Sequence, residues 1–414
     1  MSSCKNRRIT GEISGDKLPD NSSSSVIGSN NDLLRQILWC LPVKSLLVFK
    51  SVSKTWLSLI SDPYFIHNHC LRNHPSIPGL FLQKTSYVIK PEFEFMFLDG
   101  NINGGVPFKA LNFMNNPAGI KIQQSCNGLL CCSSFKSSRS NRSYYIYNPS
   151  TKHYTILPQS QFRENGRVRS VSLAFDPLKS PHYEAICIWR YDTDNYQIEI
   201  YSSKTASWRL SGDPFPAPND DSFFKSGVFW NGSLHWISLR DSDSIGLSEY
   251  SLYYFDIGRE LLKRMPVPPI PNYEWEMRSI GYFGECRGHL HLIEIYDSWT
   301  TRFDILEMDA DYTGWNIKYH VDLEGLTINV ADSETVHDDS DVEEEFLYRF
   351  EFSVLYVEEK EEEESSTLVL HIPEKVISYD LKEMRCKKIH DLSSSLRVEG
   401  SLQAYQYIES LACV

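Results

Sequence analysis

The chain has 414 residues, 41% of them apolar and 13% aromatic, with a net charge of −13. This composition excludes a disordered polymer and predicts two structural units or one large repetitive one. Segment 332–364 holds 15 acidic and two basic residues, so the rest is neutral in sum, which excludes a uniformly basic nucleic-acid surface.

The ten cysteines include no C-x-x-C pair and read as reduced thiols. No apolar run follows a basic start, and no stretch of membrane-spanning length is apolar throughout. The expectation is a cytoplasmic or nuclear protein with neither membrane nor nucleic acid among its partners.

Residues 1–28 are rich in Ser, Asn and Gly without apolar period, which predicts a disordered tail. At Asp32 the pattern changes. Asp32 is a candidate cap for a helix carrying Leu33, Leu34, Ile37, Leu38 and Leu41, and Pro42 stops it. A second short helix starts near Lys44 and carries Leu46, Leu47 and Phe49. Ser53 caps a third with Trp56, Leu57, Leu59 and Ile60, until Asp62-Pro63 breaks it, and one further turn follows.

From Asp32 to Ile66, 20 of 35 residues are apolar. A unit that small buries roughly 60% of its unfolded-chain surface, so part of the apolar surface needs a cover from outside. His67, His69, Cys70 and His74 follow closely, but without the second clustered pair that zinc usually takes they read as ordinary helix-end polar residues.

The order NDLLRQILWCLPVKSLLVFKSVSKTWLSLISDPYFI resembles the F-box, a helical motif that docks a Skp-type adaptor in cullin ubiquitin ligases. The resemblance spans residues 30–70 and implies adaptor contact or its immediate support from Leu33, Leu34, Ile37, Leu38, Leu41, Pro42, Leu46, Leu47 and Val52, with Trp56 locking the helices. The family's usual Leu-Pro ahead of the Asp is Ser29-Asn30 here, which predicts a weaker hold on the adaptor.

From Pro75 to Val414 short apolar alternations are divided by turn residues. Strands ending in Asp or Asn recur at Asp99, Asn148, Asp256, Asp309 and Asp380, with Ser202 in the same series. Successive intervals are 49, 54, 54, 53 and 71, and the long one contains the acidic window. Six residues after the later anchors stand Tyr154, Trp208, Leu262, Trp315 and Cys386, each starting another strand; ten residues after two of them stand Pro158 and Pro266. Gly128, Gly232 and Gly288 precede three anchors at similar distances.

A strand-turn-strand period near 50 is that of propeller blades, and six anchors predict about six of them. The overall expectation is a fold of α+β class by segments: a small three-helix unit, then an all-β propeller. Trp208 and Trp315 read as core between blades. His235, His289 and His291 read as satisfied strand histidines rather than channel ligands, and Cys126, Cys131 and Cys132 as small apolar residues. Segment 332–364 reads as an acidic insertion split by FLYRFEFSVLYV, one strand of a hairpin whose tip is EEKEEEESS and whose return is TLVLHIP; the charged parts read as a solvated loop, with an electrostatic handle for a basic partner as the sharper alternative.

SCNGLLCC, YYIYNPSTKHYTILP, SLAFDPLKSPHYEAICI and the closing AYQYIESLACV resemble the F-box-associated domain of plant F-box proteins. That resemblance implies a propeller over residues 75–414 that holds a substrate protein on its loops. Residues 402–414 are expected to close the ring by pairing near residue 80. No nucleophile elbow, phosphate loop or metalloprotease motif occurs, so the reading is a non-catalytic receptor with no cofactor. It would be linked through the Skp-type adaptor to a cullin scaffold and would hold an unidentified substrate; the alternative is a propeller binding module acting outside a ligase.

Overall fold

The computed structural model describes residues 31–73, 77–85, 91–100, 111, 119–135, 142–162, 167–216, 226–239, 250–269, 279–296, 301–323, 352–360, 365–393, 396 and 401–414. The tail at 1–28, Ser29-Asn30 and most of the acidic window lie outside these residues.

Four helices come first: α1 (Asn31–Trp39), α2 (Val43–Phe49), α3 (Lys54–Ile60) and α4 (Pro63–Arg72). Asp32 lies inside the first turn of α1 rather than before it, where its charge still complements the helix dipole. Pro42, expected as a stop, is also the extended residue that precedes α2. Ser53 caps α3 as expected, its Oγ accepting the Trp56 N–H at 3.2 Å. The helix count was one short. Asp62-Pro63 ends α3 but also starts α4, since Asp62 accepts from the Tyr64 N–H at 2.9 Å and Pro63 loses nothing at a first helical position.

The remaining strands form six blades. Blade 1 comprises Ile120–Cys126, Leu129–Ser134, Tyr144–Asn148 and His153–Ile156; blade 2 comprises Val168–Ala174, Glu184–Arg190, Asn195–Ser202 and Ser207–Pro216. Blade 3 comprises Val228–Trp230, Ser233–Leu239, Tyr250–Asp256 and Leu261–Arg264; blade 4 comprises Ser279–Cys286, His289–Ile295, Arg302–Met308 and Trp315–Asp322. Blade 5 comprises Ser353–Glu358, Thr367–Ile372, Lys375–Asp380 and Arg385–Asp391. In blade 6 the late strand Ser401–Tyr407 pairs antiparallel with the early strand Gly79–Thr85, which pairs in turn with Phe93–Phe97. The first strand of each blade neighbours that of the next around the full circle, so the ring is closed.

One register repeats. The residue before each anchor faces the residue six after it: Tyr147 with Tyr154, Tyr201 with Trp208, Phe255 with Leu262, Met308 with Trp315, and Tyr379 with Cys386. Four of these turns place a non-glycine residue at positive φ four positions after the anchor: Lys152, Ala206, Glu260 and Met384. The glycine-centred elements are two-residue hairpin turns with both central residues at positive φ, as in Asn127-Gly128 and Asn231-Gly232. That geometry matches strand twist and favours Asn-Gly.

Trp208 and Trp315 are only half-buried, so they are not core. Each lies at a seam between blades and donates its indole N–H to the preceding blade, Trp208 to the Pro158 carbonyl at 2.7 Å and Trp315 to that of Pro266 at 2.9 Å. The indole needs its polar edge near the rim to reach that acceptor. Cys126, Cys131 and Cys132 are buried strand residues, and burial pushes the Cys131 thiol up to about 12.

Segment 332–364 contains the hairpin strand expected within FLYRFEFSVLYV, paired with the return strand of TLVLHIP. Its residues Ser353–Glu358 form the innermost strand of blade 5, with Val354, Leu355, Tyr356 and Val357 buried against Thr367–Ile372 and neighbouring blades. Apolar alternation outweighs the flanking charge there. Nine acidic residues precede that strand or its entry, and six lie at its end and beyond. Strand direction puts Ser353 and Glu358, the two ends of this strand, at opposite faces of the ring.

His235 is fully buried in blade 3, stacked on Tyr312 and Tyr254. Its Nδ1 faces the Val228 carbonyl at 3.2 Å and its Nε2 the Tyr312 hydroxyl at 2.9 Å, an arrangement suited to a neutral ring. Burial pushes its pKa down to about 4.

Two outcomes follow for stability. Deleting residues 402–414 removes the closing strand and should lower the melting temperature by about 10 °C or more, read by calorimetry; an unchanged melt contradicts ring closure by this strand. The unfolded chain binds a proton at His235 near its ordinary value of about 6.5 and the folded chain only near 4. Stability from the neutral ring is therefore complete above pH 6.5 and falls by about 3 kcal/mol as pH drops through this window. Denaturant titrations at the two pH values should show a smaller fall for His235→Gln.

Candidate functional site: a helical face and a loop-bearing face

The helical unit has an inside and an outside. Leu34, Leu38 and Leu46 are buried with Trp39, Val43, Leu59, Ile60, Phe65 and Ile66. Leu41 and Leu47 are half-buried at its edge. Leu33 and Ile37, four residues apart and thus on one face of α1, are 39% and 43% exposed, and Val52 is 59% exposed. Val48 and Leu57, which are not among the residues the sequence assigns to adaptor contact, are exposed as well. Of 16 exposed large hydrophobic residues in the described chain, seven fall between Leu33 and Leu71. That concentration in one small unit exceeds the scatter of single exposed apolar residues over the rest of the described chain.

Eight of the nine residues singled out from the sequence divide into three groups, with Pro42 apart. Leu34, Leu38 and Leu46 support the fold, Leu33, Ile37 and Val52 present apolar surface, and Leu41 and Leu47 lie between. Pro42 is exposed, but it borders a cavity of about 460 Å³ between the helices and the ring, with Val43, Trp230 and Leu411 also on its walls. Trp56 meets Phe49 edge to face with centroids 5.4 Å apart, consistent with a lock between α2 and α3. Trp39, a residue the sequence pattern offered only as apolar, stacks on Phe65 and donates its indole N–H to the Phe65 carbonyl at 3.1 Å.

The helices rest on the face of the ring that bears the Asn127-Gly128, Asn231-Gly232 and Gly288 turns. Contact is made largely by the chain's last residues. Leu411, 3% exposed, enters the helical core. Lys44 Nζ pairs with Glu409 at 3.0 Å, and the His67 ring faces the Pro177 carbonyl at 3.4 Å. The helical unit's apolar excess is therefore covered in part by the ring and left open in part. His69 faces the Leu41 carbonyl at 2.8 Å, and burial lowers its pKa. Among the described residues no group of three or more His, Cys, Asp or Glu side chains is placed to hold a metal; His74 lies outside them.

The central channel is lined by the innermost strands, including Gln124, Tyr282, Glu285, Tyr356 and Tyr405, around a space of about 180 Å³. His235, His289 and His291 do not meet there. His235 is buried in its blade, His289 pairs with Glu307 at 2.5 Å, and His291 with Glu359 at 3.1 Å.

Strand direction sorts the connections between the two faces. The two-residue turns lie beside the helices, whereas the strand ends between which successive blades are joined, Ile156 and Val168, Pro216 and Val228, Arg264 and Ser279, and Asp322 and Ser353, lie at the opposite face.

A family model described as the F-box domain matches residues 30–68, and one described as the F-box associated beta propeller domain matches residues 101–287. The F-box protein At5g07610 of Arabidopsis thaliana is 32% identical over the whole of both chains. The F-box protein At5g49610 of the same plant is 27% identical, over 71% of this chain and 79% of its own. A putative F-box/kelch-repeat protein, At1g12870, also of Arabidopsis thaliana, is 26% identical over 58% and 59%. With four helices carrying an exposed apolar face, a closed six-bladed ring and a full-length relative at this identity, the chain belongs to the F-box proteins that carry an F-box-associated β-propeller domain.

Proposed function

We propose that the chain is the substrate-recognition subunit of an SCF-type cullin ubiquitin ligase. The observation that carries this reading is the exposed apolar surface of Leu33, Ile37, Val48, Val52 and Leu57, concentrated on a helical unit whose other side is held by the ring. A Skp-type adaptor would cover that surface and link the chain to the cullin scaffold. A substrate protein would dock on the connections of the opposite face. The chain performs no covalent step in this scheme. It raises the effective concentration of substrate lysines near a ubiquitin-conjugating enzyme, as any tether of fixed reach does. The cytoplasm and nucleus are the compartments this role requires.

Substitutions must distinguish docking from folding. Leu46 is fully buried, so Leu46→Asp would disrupt the helices themselves. Ile37→Asp and Val52→Asp alter exposed positions and should leave the melting temperature within a few degrees of wild type. Both should reduce co-purification with a recombinant Skp-type adaptor by about tenfold or more, as expected when a charge enters an apolar interface. Failure of the wild-type chain to retain the adaptor would overturn the ligase reading and favour a propeller module acting alone.

A further inference from the structure

The anchor at the end of the third strand is acidic in blades 3, 4 and 5 (Asp256, Asp309, Asp380) and serine in blade 2 (Ser202), but an amide in blade 1, Asn148. Asp256 accepts from the Arg259 N–H at 3.0 Å, and Asp380 from Lys382 and Glu383 at 3.0 and 2.7 Å. Asn148 Oδ1 performs the same service for Ser150 and Thr151 at 2.9 and 3.2 Å. Its other atom does something a carboxylate cannot. Nδ2 donates to the Ser410 carbonyl at 3.1 Å and the Ala412 carbonyl at 2.8 Å, with the side chain 0% exposed.

Those two carbonyls flank Leu411, the ring residue that enters the helical core. Neighbouring groups hold the same segment. Ser150 Oγ accepts from the Ser410 N–H at 3.1 Å, and Gly128 leaves room for it, since a Cβ there would approach Ser410 Cβ to 2.4 Å. Glu409, one residue before the clamp, reaches Lys44 of α2.

We propose that Asn148 is a positioning residue: by clamping residues 410–412 it seats Leu411 in the helical core and thereby sets how strongly the F-box holds its adaptor. The effect on adaptor affinity rests on the function proposed above; the effect on the helices does not.

Asn148→Asp tests this directly in the full-length chain. It preserves size and turn acceptor, removes the donor and sets a carboxylate against two carbonyls. Leu411→Ala removes the seated side chain and leaves the blade 1 turn intact, and Asp256→Asn is the matching change at an anchor with no tail to hold. Hydrogen exchange across residues 31–73 and calorimetric titration with a recombinant Skp-type adaptor give two separate readouts. Both Asn148→Asp and Leu411→Ala should speed exchange in the helices by about tenfold or more and weaken the adaptor by a similar factor, with blades 2 to 5 unchanged and Asp256→Asn silent. Wild-type exchange in the helices of Asn148→Asp overturns the clamp. If that variant loosens the whole ring, Leu411→Ala decides, and unchanged helices there overturn the proposal. A wild-type chain that binds no adaptor defeats the proposed function while the exchange comparison still settles the clamp.

Discussion

Everything else in this molecule depends on the antiparallel pairing of Ser401–Tyr407 with Gly79–Thr85. A blade buries its faces only against its neighbours, so an open row of five would leave two apolar faces and two strand edges in water. Seven paired residues join the two ends of the ring and remove both faces at once. The aromatic packing confirms how much is hidden there: Phe81, Phe95 and Tyr407 meet with centroids 5.2 to 5.6 Å apart. The same closing strand then carries the chain back under the helices. Ring closure and helix placement are therefore one construction.

The placement gives the molecule two unlike ends. Tight turns, chosen by twist and by glycine, make a flat seat for the helical unit. The strand ends that join one blade to the next lie on the other side. A receptor needs such an arrangement, since the part that is held in common and the part that varies must not interfere.

Much of this was legible in the sequence because a repeated turn imposes a repeated spacing. The anchors at Asn148, Asp256, Asp309 and Asp380, with their partners six residues on, reported the register of the outer strand pair before any coordinates. The helical face was legible for the same reason, as Leu33 and Ile37 share a face by periodicity alone. What escaped was context. Asp62-Pro63 is a stop and a start in identical letters. The hairpin of Ser353–Glu358 with Thr367–Ile372 was legible from its apolar run, but not its place as the innermost strand of a blade. Whether Trp208 is buried or merely latched depends on a carbonyl fifty residues away. That Pro42 borders the ring, and that Leu411 belongs to the helices, are long-range facts that no local pattern encodes.

Leu411 has a consequence for the order in which the molecule comes into being. The residues it packs against, from Leu34 to Ile66, are translated well before it, with more than three hundred positions added in between. A contact of such sequence separation forms late and slowly. The helices are made at the outset yet remain short of one core side chain until translation has passed through all the blades. Biosynthesis thus gives the oldest part of the chain its finishing piece last.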